Sequence, residues 1–160
     1  MIRLAIETDL VQIMAVFEKA KAFMRASGNL KQWINGYPSE EAVKSDIAKG
    51  NFYVEESGGE IIGSFAFIIG EDPTYKTIEG QWLDESRYGT VHRLASDGSR
   101  PGFSDRCFDF CFKIIDNVRA DTHEDNRPMQ QCLERNGFAY CGIIHLADGS
   151  PRKAYQKKIK

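Results

Sequence analysis

Apolar positions along the chain follow two periods, and the order in which the periods alternate sets the fold. Met1 to Ile6 alternates loosely and predicts a short strand. Leu10, Ile13, Met14, Phe17 and Met24 then recur on one helical stripe, with Thr8 or Asp9 as the cap and Ser27-Gly28-Asn29 as the stop. The stretch GNLKQWINGYPSEE is a loop carrying Trp33 and Tyr37. It leads to a second helix capped by Ser39, with Glu40 and Glu41 in its first turn and Gly50 at its end. Residues 51–56 and 61–69 read as strands around the turn Ser57-Gly58-Gly59-Glu60. Residues 72–87, which include Trp82, are polar and show no clear period.

Beyond residue 88 strands and helices alternate. Strand 88–95 is followed by a loop, a helix from about Ser104 to Asp116, strand 118–122, a helix over 127–136 and strand 138–146. The first of these helices is apolar nearly all round (Cys107, Phe108, Phe110, Cys111, Phe112, Ile114, Ile115), so it is expected to pack on more than one side. Asn126 caps the second, Pro128 lies in its first turn and Asn136-Gly137 ends it. After the turn Asp148-Gly149 a basic strand closes the chain. Hairpins first and alternation afterwards predict a mixed α/β sheet of about seven strands with about four helices, in one domain spanning 1–160.

Composition narrows the partners. Twenty-one Lys and Arg against 23 Asp and Glu give a net charge of −2, which points away from nucleic acid and membrane surfaces. No apolar stretch has spanning length and the N-terminus lacks a signal-like apolar run, so the expected location is cytoplasmic. Cys107, Cys111, Cys132 and Cys141 contain no CxxC pair. They read as reduced, buried thiols, and no spacing with His92, His123 or His145 suggests a metal site.

The chemistry concentrates between residues 96 and 146. SDGSRPGFSD lies between a strand and a helix, where unpaired N–H groups and the helix dipole favour an anion. Asp105 in the first helical turn suits that dipole but would repel a nearby phosphate. Further on, ADTHEDNRPMQQCLERNGFAYCG closely resembles the C-terminal motif of the GCN5-related N-acetyltransferases, with its strand, Asn-capped helix and NGF turn. In that family the loop before the preceding helix has the form [QR]-x-x-G-x-[GA] and holds the pyrophosphate of acetyl-CoA. The matching residues here are Ser99 to Ser104. Gly102 agrees with the pattern, while Ser99 and Ser104 depart from it; Arg100 can supply the missing cation and Phe103 and Ser104 further N–H groups.

The resemblance implies a parallel, splayed pair formed by the fourth and fifth strands, 88–95 and 118–122. Backbone groups of Arg93, Leu94 and Ala95 would bind the pantetheine arm and Asn126 would contact it. Near Leu94 an N–H would polarise the thioester carbonyl. For the base that takes the amine proton, the matching region offers Tyr88 and His92, with Glu85 before them; an imidazole, ordinarily titrating near 6.5, suits the task. The position of the family's usual tyrosine acid is Leu133. Tyr140 or Tyr155 could replace it, Cys132 could line the arm, or coenzyme A could leave as a thiolate. Trp33, Tyr37 and Trp82 fall where the family lines its acceptor pocket. Taken together, the resemblance implies an acetyl-CoA-dependent transfer to a primary amine of a small molecule or a protein, without a metal, in a chain that forms a homodimer as many members do. The competing expectation is a non-catalytic acyl-CoA-binding or sensor module. A serine hydrolase using Ser104 is disfavoured, because GFSD lacks the GxSxG elbow.

Overall fold

The computed structural model describes residues 1–160. One sheet contains β1 (Ile2–Leu4), β2 (Phe52–Ser57), β3 (Glu60–Ile69), β4 (Glu79–Gly80), β5 (Gly89–Ser96), β6 (Asn117–Thr122), β7 (Ala139–His145) and β8 (Pro151–Lys158). Their spatial order is β1-β2-β3-β5-β6-β8-β7-β4, and every neighbouring pair is antiparallel except β5 with β6. Four helices accompany the sheet: α1 (Leu10–Ala26), α2 (Glu40–Ala48), α3 (Phe103–Phe112) and α4 (Arg127–Arg135).

The strand count is eight rather than the expected seven. The extra strand, β4, is two residues long and lies in the stretch without a period, so no alternation could reveal it. It exists because it meets β7, with Glu79 opposite Ile143 and Gly80 opposite Gly142. A side chain at Gly80 would come within 2.1 Å of the Cys141 carbonyl oxygen, so the close approach needs glycine there. The cap of the first helix also differs. Asp9 accepts from Ile6 N and from Arg3 in a short 3-10 turn (Glu7–Asp9), and does not cap α1 with its side chain. Ser39 and Asn126 cap α2 and α4 as the sequence indicates, accepting from Ala42 N and Met129 N at 3.1 Å each.

β3 explains why its sequence is a continuous apolar run. Ile61 to Phe67 is buried throughout, because helices cover both faces of the strand. On one face, Phe65 and Phe67 join Phe103, Cys107, Phe108, Cys111, Leu133 and Phe138 of the α3 and α4 side. On the other, Phe52, Val54 and Ala66 meet Ile13, Phe17 and Val43 of α1 and α2. All four cysteines are buried, and Cys107 and Cys111 share the core-facing side of α3. A third cluster, built on Tyr75, Trp82 and Tyr88, covers the end of the sheet that carries β7 and β8. No helix is long and apolar enough to cross a membrane.

Candidate functional site

β5 and β6 pair only at Gly89↔Val118 and Thr90↔Arg119, and beyond these residues they separate. The separation coincides with a bulge on the other edge of β5. Between Ala66↔His92 and Ser64↔Ala95, β5 carries one residue more than β3. Arg93 takes the left-handed conformation there (φ 53°), which is uncommon for a non-glycine residue. It is held by its side chain: Nε and Nη2 donate to Asp46 at 3.0 and 2.6 Å, and Nη1 donates to the Tyr37 hydroxyl at 2.8 Å.

The loop after β5 ends at the mouth of α3. Gly102 precedes the helix with φ 88°, and a Cβ there would sit 3.2 Å from Arg106 Nη1. Gly98 N and Ser99 N are satisfied within the loop, by Ser96 Oγ and Asp97 Oδ1. The amides of Arg100, Gly102, Phe103 and Ser104 donate to no protein atom. Beneath the loop Glu55 is buried and accepts from Arg106 Nε and Nη2, both at 2.7 Å, while Arg106 Nη1 donates to the Pro101 carbonyl. Those hydrogen bonds hold the Glu55 carboxyl below the usual range against the opposing effect of burial. Arg100, half-exposed, lies 3.8 Å from Glu55. Asp105, the residue expected to repel phosphate, is bound by Asn136 at 2.9 Å and Arg135 at 3.0 Å. Its charge is therefore partly neutralised. A diphosphate fits this mouth on three counts: unpaired amides, a glycine approach and the half-exposed guanidinium of Arg100, which only Glu55 approaches, at 3.8 Å.

The separated strands open onto a cleft of about 830 Å³. His92, Arg93, Leu94, Asn126, Trp33 and Tyr37 line it, so six of the residues singled out in the sequence converge. His92 Nε2 lies 2.8 Å from Asp72 Oδ2. Burial pushes the Asp72 carboxyl up, but hydrogen bonds from His92 and Thr74 outweigh it and hold the group at about 2. Asn126 caps α4 and also donates to Gln32 Oε1 at 3.0 Å, fastening that helix to the loop after α1. Trp33 packs edge-on against Phe17. His123 orders the turn before α4 by accepting from Asp125 N at 3.0 Å, and burial lowers its pKa.

Four expected residues do not line the cleft with their side chains. Tyr88 is buried in the third cluster, where its hydroxyl accepts from Asp72 N, so it touches the cleft only through Asp72. Trp82 is in the same cluster and donates to the Tyr75 carbonyl, away from Trp33 and Tyr37. Ala95 is packed in the α1 side of the core, and Cys132 in the α3 and α4 side, where burial raises its pKa. Leu133 is fully buried and Tyr155 nearly so, whereas Tyr140 is exposed.

The sequence reading missed Asp72, Asp121 and Tyr75. Asp121 is on β6 beside the opening; the Tyr75 hydroxyl donates to it at 2.6 Å, and burial raises its pKa. Only the strand position of Asp121, directly before the THEDN stretch, hinted at it. Asp72 and Tyr75 lie in the stretch without a period.

A sheet divided between two parallel strands, with a bulge on one and bare amides at the next helix, defines the acetyltransferase class of α/β fold. Among solved structures, a GNAT-family acetyltransferase from Streptococcus agalactiae is 36% identical, with a TM-score of 0.85 over 100% of this chain and 95% of its own. A putative acetyltransferase from Staphylococcus aureus is 25% identical (TM-score 0.75, covering 100% and 99%). A GNAT-family acetyltransferase from Listeria monocytogenes is 20% identical and shares the fold (TM-score 0.73, covering 99% and 94%). No family model matches the chain, and no curated protein does. The chain belongs to the GNAT acetyltransferase family.

Proposed function

We propose that this protein is an acetyl-CoA-dependent N-acetyltransferase acting on a primary amine of a small molecule or a protein. The observation that carries the reading is the opening between β5 and β6 directly before unpaired amides at the mouth of α3. The coenzyme, when bound, supplies an acetyl thioester. Arg100, Gly102, Phe103 and Ser104 would hold its diphosphate, and the β5 edge around Arg93, Leu94 and Ala95 would pair with the pantetheine arm, with Asn126 beside it. Cys132, on the buried face of α4, would lie behind the arm. Trp33 and Tyr37 wall the acceptor's side of the cleft.

His92 is the proposed base. Asp72 fixes the imidazole and stabilises the positive charge it gains on taking the amine proton. Tyr88 would act as a positioning residue, holding Asp72 through its backbone N–H. No side chain at the position of Leu133 can protonate the departing sulfur, so release as thiolate, with an ordinary pKa near 8.5, suits this chain. That same leucine favours the second reading, an acyl-CoA-binding or sensor module without turnover.

The deciding experiment measures free thiol released from acetyl-CoA across polyamines, amino acids, aminoglycosides and peptides. Turnover with one amine class supports the enzyme, whereas tight acetyl-CoA binding with no turnover supports the module. Gly102→Glu is expected to abolish coenzyme binding, because it adds a side chain and a negative charge beside the bare amides, while the circular dichroism of the fold persists. Unchanged affinity in that variant would remove the loop from the site.

A further inference from the structure

A second hollow, of about 630 Å³, lies on the far side of Tyr75 from the cleft. Arg119 of β6 lines it, and its guanidinium is in an unusual position. The side chain is only 3% exposed, yet it makes a single hydrogen bond, from Nη2 to the Asp84 carbonyl at 2.8 Å. Nε is buried with no partner, and Nη1 donates to no protein atom. The one nearby carboxylate, Glu85, is 3.8 Å away and 81% exposed, so it neutralises little.

Trp82 and Tyr88 both flank the guanidinium, with ring centroids 4.0 and 3.9 Å from Cζ. Such contacts offset part of the cost of removing a charge from water, but they satisfy no N–H group. The rim adds Lys76 and Arg87, both exposed, against Glu71 and Glu85; three cations thus face two carboxylates, each mostly in water. We propose that this hollow is a binding site for the anionic group, carboxylate or phosphate, of a small molecule, with Arg119 as its anchor. The rings of Trp82 and Tyr88 hold the guanidinium in place before the ligand arrives, and Lys76 and Arg87 draw the anion in. The hollow shares no lining residue with the cleft.

Calorimetric titration of the full chain carrying Gly102→Glu, so that the mouth of α3 does not take the probe, with malonate and, separately, inorganic phosphate tests the site, at pH 7 with ionic strength matched by sodium chloride. At least one probe is expected to bind saturably at one site and to weaken tenfold or more in Arg119→Met, which keeps the bulk between the rings. Response to malonate alone identifies a carboxylate ligand and response to phosphate alone a phosphate ligand. Binding that Arg119→Met leaves unchanged overturns the proposal, as does no binding of either probe. Should Arg119→Met fail to fold, the exposed pair Lys76→Ala with Arg87→Ala is expected to weaken binding several-fold, and unaltered affinity there is equally fatal. Because the titration contains no coenzyme, its failure leaves the proposed activity untouched.

Discussion

Asp72 and His92 form the pair on which the proposed chemistry turns, and both can be tested one side chain at a time. His92→Ala is expected to lower kcat about 100-fold with little change in coenzyme affinity, since a positioned base contributes on that order; steady-state kinetics reads both. Asp72 makes a second, pH-dependent prediction. Its folded carboxyl is held at about 2, below the ordinary 3.8, so its contribution is present above about pH 4 and is lost as the pH falls towards 2. Urea unfolding at pH 5 and at pH 2.5 is expected to show the wild type losing more stability than Asp72→Asn over that interval. Equal losses would mean that the ion pair contributes nothing to folding. His92 was a candidate from its strand and chemistry, and the structure places it in the cleft. Asp72 was not, because its partnership depends on a polar segment folding back twenty residues along the chain.

Among the elements, α3 is the one on which the site depends most. The sequence predicts a helix apolar on nearly every side as far as Asp116; in the structure α3 stops at Phe112, turns Phe103, Cys107, Phe108 and Cys111 into the core, and leaves Asp109 and the following Ile114 exposed. Its mouth is held by a contact that no periodicity carries: Glu55 of β2, buried at 1% exposure, binds Arg106, which in turn binds the Pro101 carbonyl. Glu55→Ala would leave the guanidinium without its carboxylate and is expected to cost about 3 kcal/mol, measured by chemical denaturation. Coenzyme affinity is expected to fall as well, since the loop loses its support. A variant that is as stable as the wild type and binds the coenzyme equally well would show the loop to be self-supporting. The bulge on β5 was also beyond the sequence. Arg93 gives no local signal for a positive φ, and Asp46 and Tyr37, far away in the chain, hold it there.

For the whole molecule, the sheet consists of two blocks, β1-β2-β3-β5 and β6-β8-β7-β4, joined by two residue pairs at one end of β5 and β6. A ligand that fills the opening bridges these blocks. Coenzyme A at about 100 times its Kd is expected to stabilise the fold by about 2.7 kcal/mol. Hydrogen exchange should slow chiefly in residues 91–96, 100–104 and 117–122. Protection confined to other regions would place the coenzyme elsewhere. By itself the sequence determined the alternation of elements, the caps at Ser39 and Asn126, the strand over 61–69 and the family motif around the NGF turn. Those features depend on neighbours within a few residues, where period and capping chemistry act. The tertiary structure decided the eighth strand, the parting of β5 from β6, the pairing of Asp72 with His92 and the near-isolated charge of Arg119. Each of these arises from groups distant in the chain, whose burial and hydrogen-bond partners exist only once the sheet has assembled.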